Sequence, residues 1–162
     1  MAADGAPRAV ADVGSPSGAL AVGGDGALWF GDGPRLWRVA LPGEGTAKPS
    51  APELVADGLG DVYGVVLLGD DSLAVSDWEG GRVLSLARAR PDANGADEKA
   101  SRPPPTVLAK GLHCPSGLVA LADGSLLVKE SGRRKNVAAR LLRIARNGAV
   151  ETWVDLRRDD TR

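Results

Sequence analysis

Cys114-Pro-Ser-Gly-Leu-Val-Ala-Leu-Ala-Asp-Gly-Ser-Leu-Leu-Val-Lys-Glu130 is the most complete of three related stretches in a chain of 162 residues. The others are Ser15-Pro-Ser-Gly-Ala-Leu-Ala-Val-Gly-Gly-Asp-Gly-Ala-Leu-Trp-Phe30 and Val62-Tyr-Gly-Val-Val-Leu-Leu-Gly-Asp-Asp-Ser-Leu-Ala-Val-Ser-Asp77. Gly18, Gly64 and Gly117 lie 46 and 53 residues apart, and Leu28, Leu73 and Leu126 lie 45 and 53 apart. A repeat of that length marks stacked supersecondary units, none of which can bury its apolar side alone.

Within the third stretch, residues 116–122 and 125–130 are short apolar runs joined by Asp123-Gly124, where glycine supplies the positive φ of a tight two-residue hairpin. A charged connection, residues 131–139, leads to Arg140-Leu-Leu-Arg-Ile-Ala145, and Asn147-Gly148 turns that run into Ala149-Val-Glu-Thr-Trp-Val-Asp-Leu156. Four antiparallel strands in about 40 residues make one blade of a β-propeller. The first unit follows the same plan over about residues 16–57, the second over 62–110 with the weaker turn pair Asp70-Asp71, and the third over 115–156. Residues 88–105, rich in Ala, Asp, Arg and Pro, cannot bury enough apolar surface to offset their ordering entropy and read as a solvated insertion. Residues 8–13 read as the last strand of a preceding blade. The predicted fold is all-β: one partial propeller domain over residues 1–162, with three four-stranded blades of a six-bladed ring. Three blades leave two apolar faces open, so the ring is expected to close through further residues or through a second copy, as a homodimer.

Bulk properties exclude several classes of partner. Lys plus Arg number 20 against 21 Asp plus Glu, a net charge of −1, so no basic field exists to hold nucleic acid by counterion release. Hydrophobic residues make up 43%, enough for a packed core, yet no stretch nears the roughly 18 apolar residues that span a bilayer. Cys114 is the only cysteine and cannot form an internal disulfide, which suits a reducing compartment. The opening Met-Ala-Ala-Asp-Gly-Ala-Pro-Arg carries an acid and lacks the apolar run of a secretory signal, so the expected location is cytoplasmic, with no membrane partner.

The block at 114–130, followed by Arg140-Leu-Leu-Arg-Ile144 and Asn147-Gly148, resembles the repeat of six-bladed propellers of the gluconolactonase and regucalcin superfamily and of the NHL-repeat proteins. Asp25-Gly-Ala-Leu-Trp-Phe30 is also similar to repeats of the streptogramin B lyases, which are seven-bladed. The first resemblance implies a divalent-metal-dependent hydrolase of a sugar lactone or similar small ester, its cation held by a glutamate and by Asn or Asp side chains at the blade openings. This chain departs from that pattern. At the family's asparagine position it carries Ser17, Tyr63 and Ser116, so the amide ligand is missing from all three units. The NHL resemblance implies the alternative, a non-catalytic propeller segment that binds a protein partner on its rim. A lyase would need a His and Glu pair, and the single histidine, His113, does not align with that motif.

If the first strand of each blade descends to its turn, the second strand returns to the rim where the first began. That places Asp32, Asp77 and Glu130 with Ser17, Tyr63, Ser116, His113 and Cys114 near one channel mouth. Carboxylates are hard oxygen ligands, so Asp32, Asp77 and Glu130 are the candidate ligands of Ca²⁺ or Mg²⁺, and no organic cofactor is indicated. Such a cation polarises a carbonyl or acidifies a bound water. Ser17, Tyr63, Ser116 and Arg133 are the candidate contacts to a small-molecule substrate. His113 and Glu130 are the candidate catalytic groups, His113 because imidazole exchanges protons near neutral pH. The competing reading of each acid is structural, as a cap on loop amides or the partner of a nearby arginine. It draws support from an apparent mismatch in register, the three acids following Gly31, Ser76 and Lys129 respectively. His113 and Cys114 are neighbours on an extended segment and point to opposite sides, so they do not form a dyad. Arg133-Arg134-Lys135 reads as a solvated loop able to attract an anion, and Trp29, Trp37, Trp78 and Trp153 read as packing between blades.

Overall fold

The computed structural model of the chain describes residues 16–41, 50–69, 72–87, 103–131 and 139–155, and of Pro16 and Ser17 the backbone only. Three antiparallel sheets are formed, each of four strands in sequence order. The first is β1 (Pro16–Val22), β2 (Ala27–Asp32), β3 (Arg35–Ala40) and β4 (Glu53–Ala56). The second is β5 (Val62–Leu67), β6 (Ser72–Asp77), β7 (Arg82–Ala87) and β8 (Thr106–Lys110). The third is β9 (Pro115–Ala120), β10 (Leu126–Glu130), β11 (Arg140–Ile144) and β12 (Val150–Asp155). Among the described residues no helix is long and apolar enough to cross a membrane. The expected strand at 8–13, the Asp70-Asp71 turn, Arg133-Arg134-Lys135 and residues 88–102 of the expected insertion lie outside the described residues; Pro103, Pro104 and Pro105 are exposed.

The hairpin turns differ from the sequence expectation in one respect. Gly26 N–H donates to Gly23 O at 2.9 Å and Gly23 N–H to Ala27 O at 2.8 Å, and the same pair of bonds closes 121–125 and 145–149. Each loop thus has three residues rather than two, 24–26, 122–124 and 146–148, with the glycine in the left-handed region at its end: φ is 73° at Gly26, 79° at Gly124 and 82° at Gly148. The residue before the glycine contributes its side chain. Asp25, Asp123 and Asn147 each accept, through Oδ1, the amide proton of the residue two further on, which closes the turn locally.

The second sheet is buried on both faces, and the two-residue period of a strand explains its composition. Leu73, Val75, Leu84 and Leu86 pack toward the first sheet, with Trp29, Leu36, Val55 and Leu59. Ala74 and Val83 pack toward the third, with Leu126, Val128, Leu142 and Ile144. The first strands β1, β5 and β9 lie side by side, so the sheets radiate from a common inner edge. At that edge Ser76 Oγ donates to Ser116 O at 2.6 Å, tying the second sheet to the third. Gly64 makes this approach possible, because a Cβ there would collide with the Ser116 carbonyl. At the far side β12 is exposed along its whole length, Trp153 by 55%.

Candidate functional site

At the rim opposite the glycine turns, the three sheets share one plan. Asp32 lies across from Pro16 and Arg35, Asp77 from Val62 and Arg82, and Glu130 from Pro115 and Arg140. The acids therefore do share a register, contrary to the mismatch read from their sequence neighbours. Each is the last residue of its sheet's second strand, opposite the arginine that opens the third. A one-residue bulge follows the first residue of β5 and β9 and holds Tyr63 and Ser116 in equivalent places, and the register of β1 shifts between Pro16 and Leu20, where Ser17 lies. Bulges re-aim side chains at the ends of strands, and here they break the in–out alternation of β5 and β9 at Tyr63 and Ser116.

Two of the acids, Asp77 and Glu130, are occupied by the fold. Asp77 Oδ1 accepts the Asp61 and Gly80 amides at 2.9 Å, and its Oδ2 accepts Arg82 Nε at 2.8 Å. Glu130 Oε1 accepts the His113 amide at 2.7 Å, and its Oε2 accepts Arg140 Nε at 2.9 Å and Nη2 at 2.5 Å. Both carboxylates are buried, while the two arginines stay about one-third exposed, 38% and 33%. Asp61 and His113 belong to the segments that carry the chain from one sheet to the inner edge of the next. These segments are held on their other side by the preceding sheet: Leu59 and Val62 donate to Pro34 O and Gly33 O, and Leu112 donates to Gly81 O. Each acid is thus a clasp between a connector and its own sheet. Glutamate, one methylene longer, reaches the second residue before its strand, whereas aspartate reaches the first.

Among the described residues no group of three His, Cys, Asp or Glu side chains could hold a metal ion, so Asp32, Asp77 and Glu130 do not converge on a cation. Burial of a carboxylate demands partners, and guanidinium and amide donors supply them. As arranged here, Asp77 and Glu130 turn both of their oxygens to arginine and amide donors. Arg35 belongs to the same ladder position but reaches Asp57 at 3.6 Å.

In the second and third sheets the bulge residue and the residue just after the acid come together at this rim. In the second sheet these are Tyr63 and Trp78, whose rings stack at 4.7 Å with 28° between planes. In the third they are Ser116 and Ser131, whose hydroxyl oxygens lie 3.1 Å apart. Trp78 was expected in blade packing, and only Trp29 fully meets that expectation, at 2% exposure. His113 is exposed beside the same opening; Cys114 is buried and adopts φ 50°, a kink that separates the two side chains. Ser17 lies in the register shift of β1, and Arg133 lies outside the described residues.

Solved structures with this arrangement are propellers. A gluconolactonase from Xanthomonas campestris is 21% identical with a TM-score of 0.58, over 82% of this chain and 44% of that one. A streptogramin B lyase is 14% identical with a TM-score of 0.52, over 82% and 38%. The fold is a β-propeller. A carbohydrate-active enzyme of family AA12 from Trichoderma reesei is similar as well, at 14% identity and a TM-score of 0.57 over 87% and 39%. The propeller chain described here spans about half the length, or less, of these neighbours. No protein-family model matches the sequence, and no curated protein sequence does. The sheets are accordingly three blades, and β1, β5 and β9 line the axis.

Proposed function

We propose that these blades belong to a gluconolactonase-like propeller that takes a small polyhydroxylated ring ester, such as a sugar lactone, at the axial mouth. One observation carries the reading. Equivalent positions of adjacent blades present an aromatic pair, Tyr63 and Trp78, beside a hydroxyl pair, Ser116 and Ser131. A sugar ring has an apolar C–H face and a hydroxylated edge, and such a mouth answers both, the aromatic face by stacking and the serines by hydrogen bonds. Tyr63 is 37% exposed, so part of its ring is open to a ligand. Hydrolysis adds water across the ester C–O bond; in this reading His113 accepts the proton of the attacking water, and Ser116 hydrogen-bonds the substrate. No step in this reading runs through a cation, since Asp77 and Glu130 are committed to arginines and amides.

The test is a titration of the protein with a sugar lactone, followed by the side-chain resonances of Tyr63 and Trp78. Saturable shifts that vanish in Tyr63→Ser are the expected result. Unmoved resonances at millimolar lactone would overturn the reading. Release of acid on adding the lactone, lost in His113→Ala, tests the chemical step separately.

A further inference from the structure

A second recess lies at the opposite end of the blades, between the second and third. It has a volume of about 520 Å³ and is lined by Leu68, Leu108, Leu126, Ile144, Ser85 and Arg146, among others. Ligand pockets fall between roughly 300 and 1,000 Å³. The recess follows from the side chains that the second blade turns to its two neighbours. Toward the first blade it offers Leu73, Val75, Leu84 and Leu86. On the other face, between and beside these, stand Ser72, Ala74 and Ser85, which are too small to fill the space up to the third blade.

Arg146, an exposed residue, borders one side of the recess. Its Nε donates to Asp123 O at 2.9 Å, and the side chain crosses Gly124, where any Cβ would collide with it. No ion pair to Arg146 is formed among the described residues, whereas Arg143 on the same hairpin pairs with both Asp123 and Glu151. Ser85 makes no side-chain hydrogen bond among the described residues. A guanidinium held by its Nε keeps its two Nη donors for a planar, two-oxygen acceptor. Leu68, Leu108, Leu126 and Ile144 supply an apolar wall beside it.

We infer that this recess binds a small monocarboxylate with a flat or short apolar body, the carboxylate on Arg146 and Ser85 and the body against the leucines. Lactone binding at the axial mouth plays no part in it. The inference is tested with benzoate and its neutral isostere benzamide, each titrated into the whole chain while backbone amides are followed by NMR. Benzoate should shift the amides of Leu68, Leu108 and Arg146, and bind at least about tenfold tighter than benzamide, the order expected for one hydrogen bond to a charged group. Arg146→Gln should erase that preference without moving amides outside the recess. Leu108→Trp, which fills the space, should abolish binding of both probes. Equal binding of the two probes would overturn the inference. Benzoate shifts that persist in Arg146→Gln, or that fall elsewhere on the chain, would overturn it too.

Discussion

Glu130 accepts two hydrogen bonds from Arg140, at 2.9 and 2.5 Å, from a carboxylate almost wholly removed from solvent. The same carboxylate takes the His113 amide, and Asp77 repeats the arrangement one blade earlier with Arg82, Asp61 and Gly80. Removing the acid leaves a guanidinium and buried amides without acceptors. Glu130→Ala and Asp77→Ala should each cost about 2–3 kcal/mol, below the full value for a buried pair because each arginine keeps some contact with water. Urea denaturation checks this. The loss should be the same with excess Ca²⁺ or with chelator, since a cation that bound these acids in the native state would add its binding energy to the difference.

Gly64 separates structural glycines from incidental ones. Gly18, Gly64 and Gly117 occupy the same place in the repeat, yet a Cβ meets nothing within 4 Å at Gly18 or Gly117 and strikes the Ser116 carbonyl at Gly64. A backbone atom cannot swing aside. Gly64→Ala should therefore lower stability by about 1–3 kcal/mol, while Gly18→Ala and Gly117→Ala stay within about 0.5 kcal/mol of the parent. Thermal melts of the three variants decide the matter.

Asp123 should contribute to acid sensitivity. Its carboxyl is lowered to about 2, first by the Ser125 hydroxyl, then by the Ser125 amide and Arg143. A depressed folded-state value means that the charged form stabilises the fold above the unfolded pKa near 4, and that this contribution disappears as pH falls through about 2. Asp123→Asn keeps a side-chain acceptor for the turn, as Asn147 does in its own, and removes the titration. Stability measured from pH 5 to pH 2 should then fall less steeply in the variant than in the parent.

Tyr63 and Trp78 should part company on substitution. Tyr63→Ser copies the residue of the neighbouring blades, so the melting temperature should change little while lactone affinity drops by about tenfold, the scale of a lost aromatic contact. Trp78→Ser exposes the apolar surface beneath it and should lower both. Calorimetry and melts on the two variants read the difference.

Much of the architecture was legible because the repeat is local. The apolar runs and the Asp-Gly and Asn-Gly turns follow from short-range patterns, and the strands lie within a residue or two of their expected limits. The role of the acids was hidden by variable spacing. Arg35, Arg82 and Arg140 follow their acids by 3, 5 and 10 residues, so a ladder partnership that is identical in space looks irregular along the chain. The stack of Tyr63 on Trp78 was obscure for a related reason: fifteen residues and a complete hairpin separate two rings that the antiparallel return brings together. The recess at Arg146 depends on which face of the second blade bears the small residues, and that requires knowing what stands on each side of it.

The clasp also bears on how such a molecule grows. Asp77 and Glu130 each bind the connector that enters their own blade, together with an arginine of that same blade. Connector and sheet therefore form a cassette that carries its own fastening. Gene duplication that copies the stretch from one connector to the next delivers a latch with every copy, so blade number can change by whole units without any new contact having to be invented at the joint.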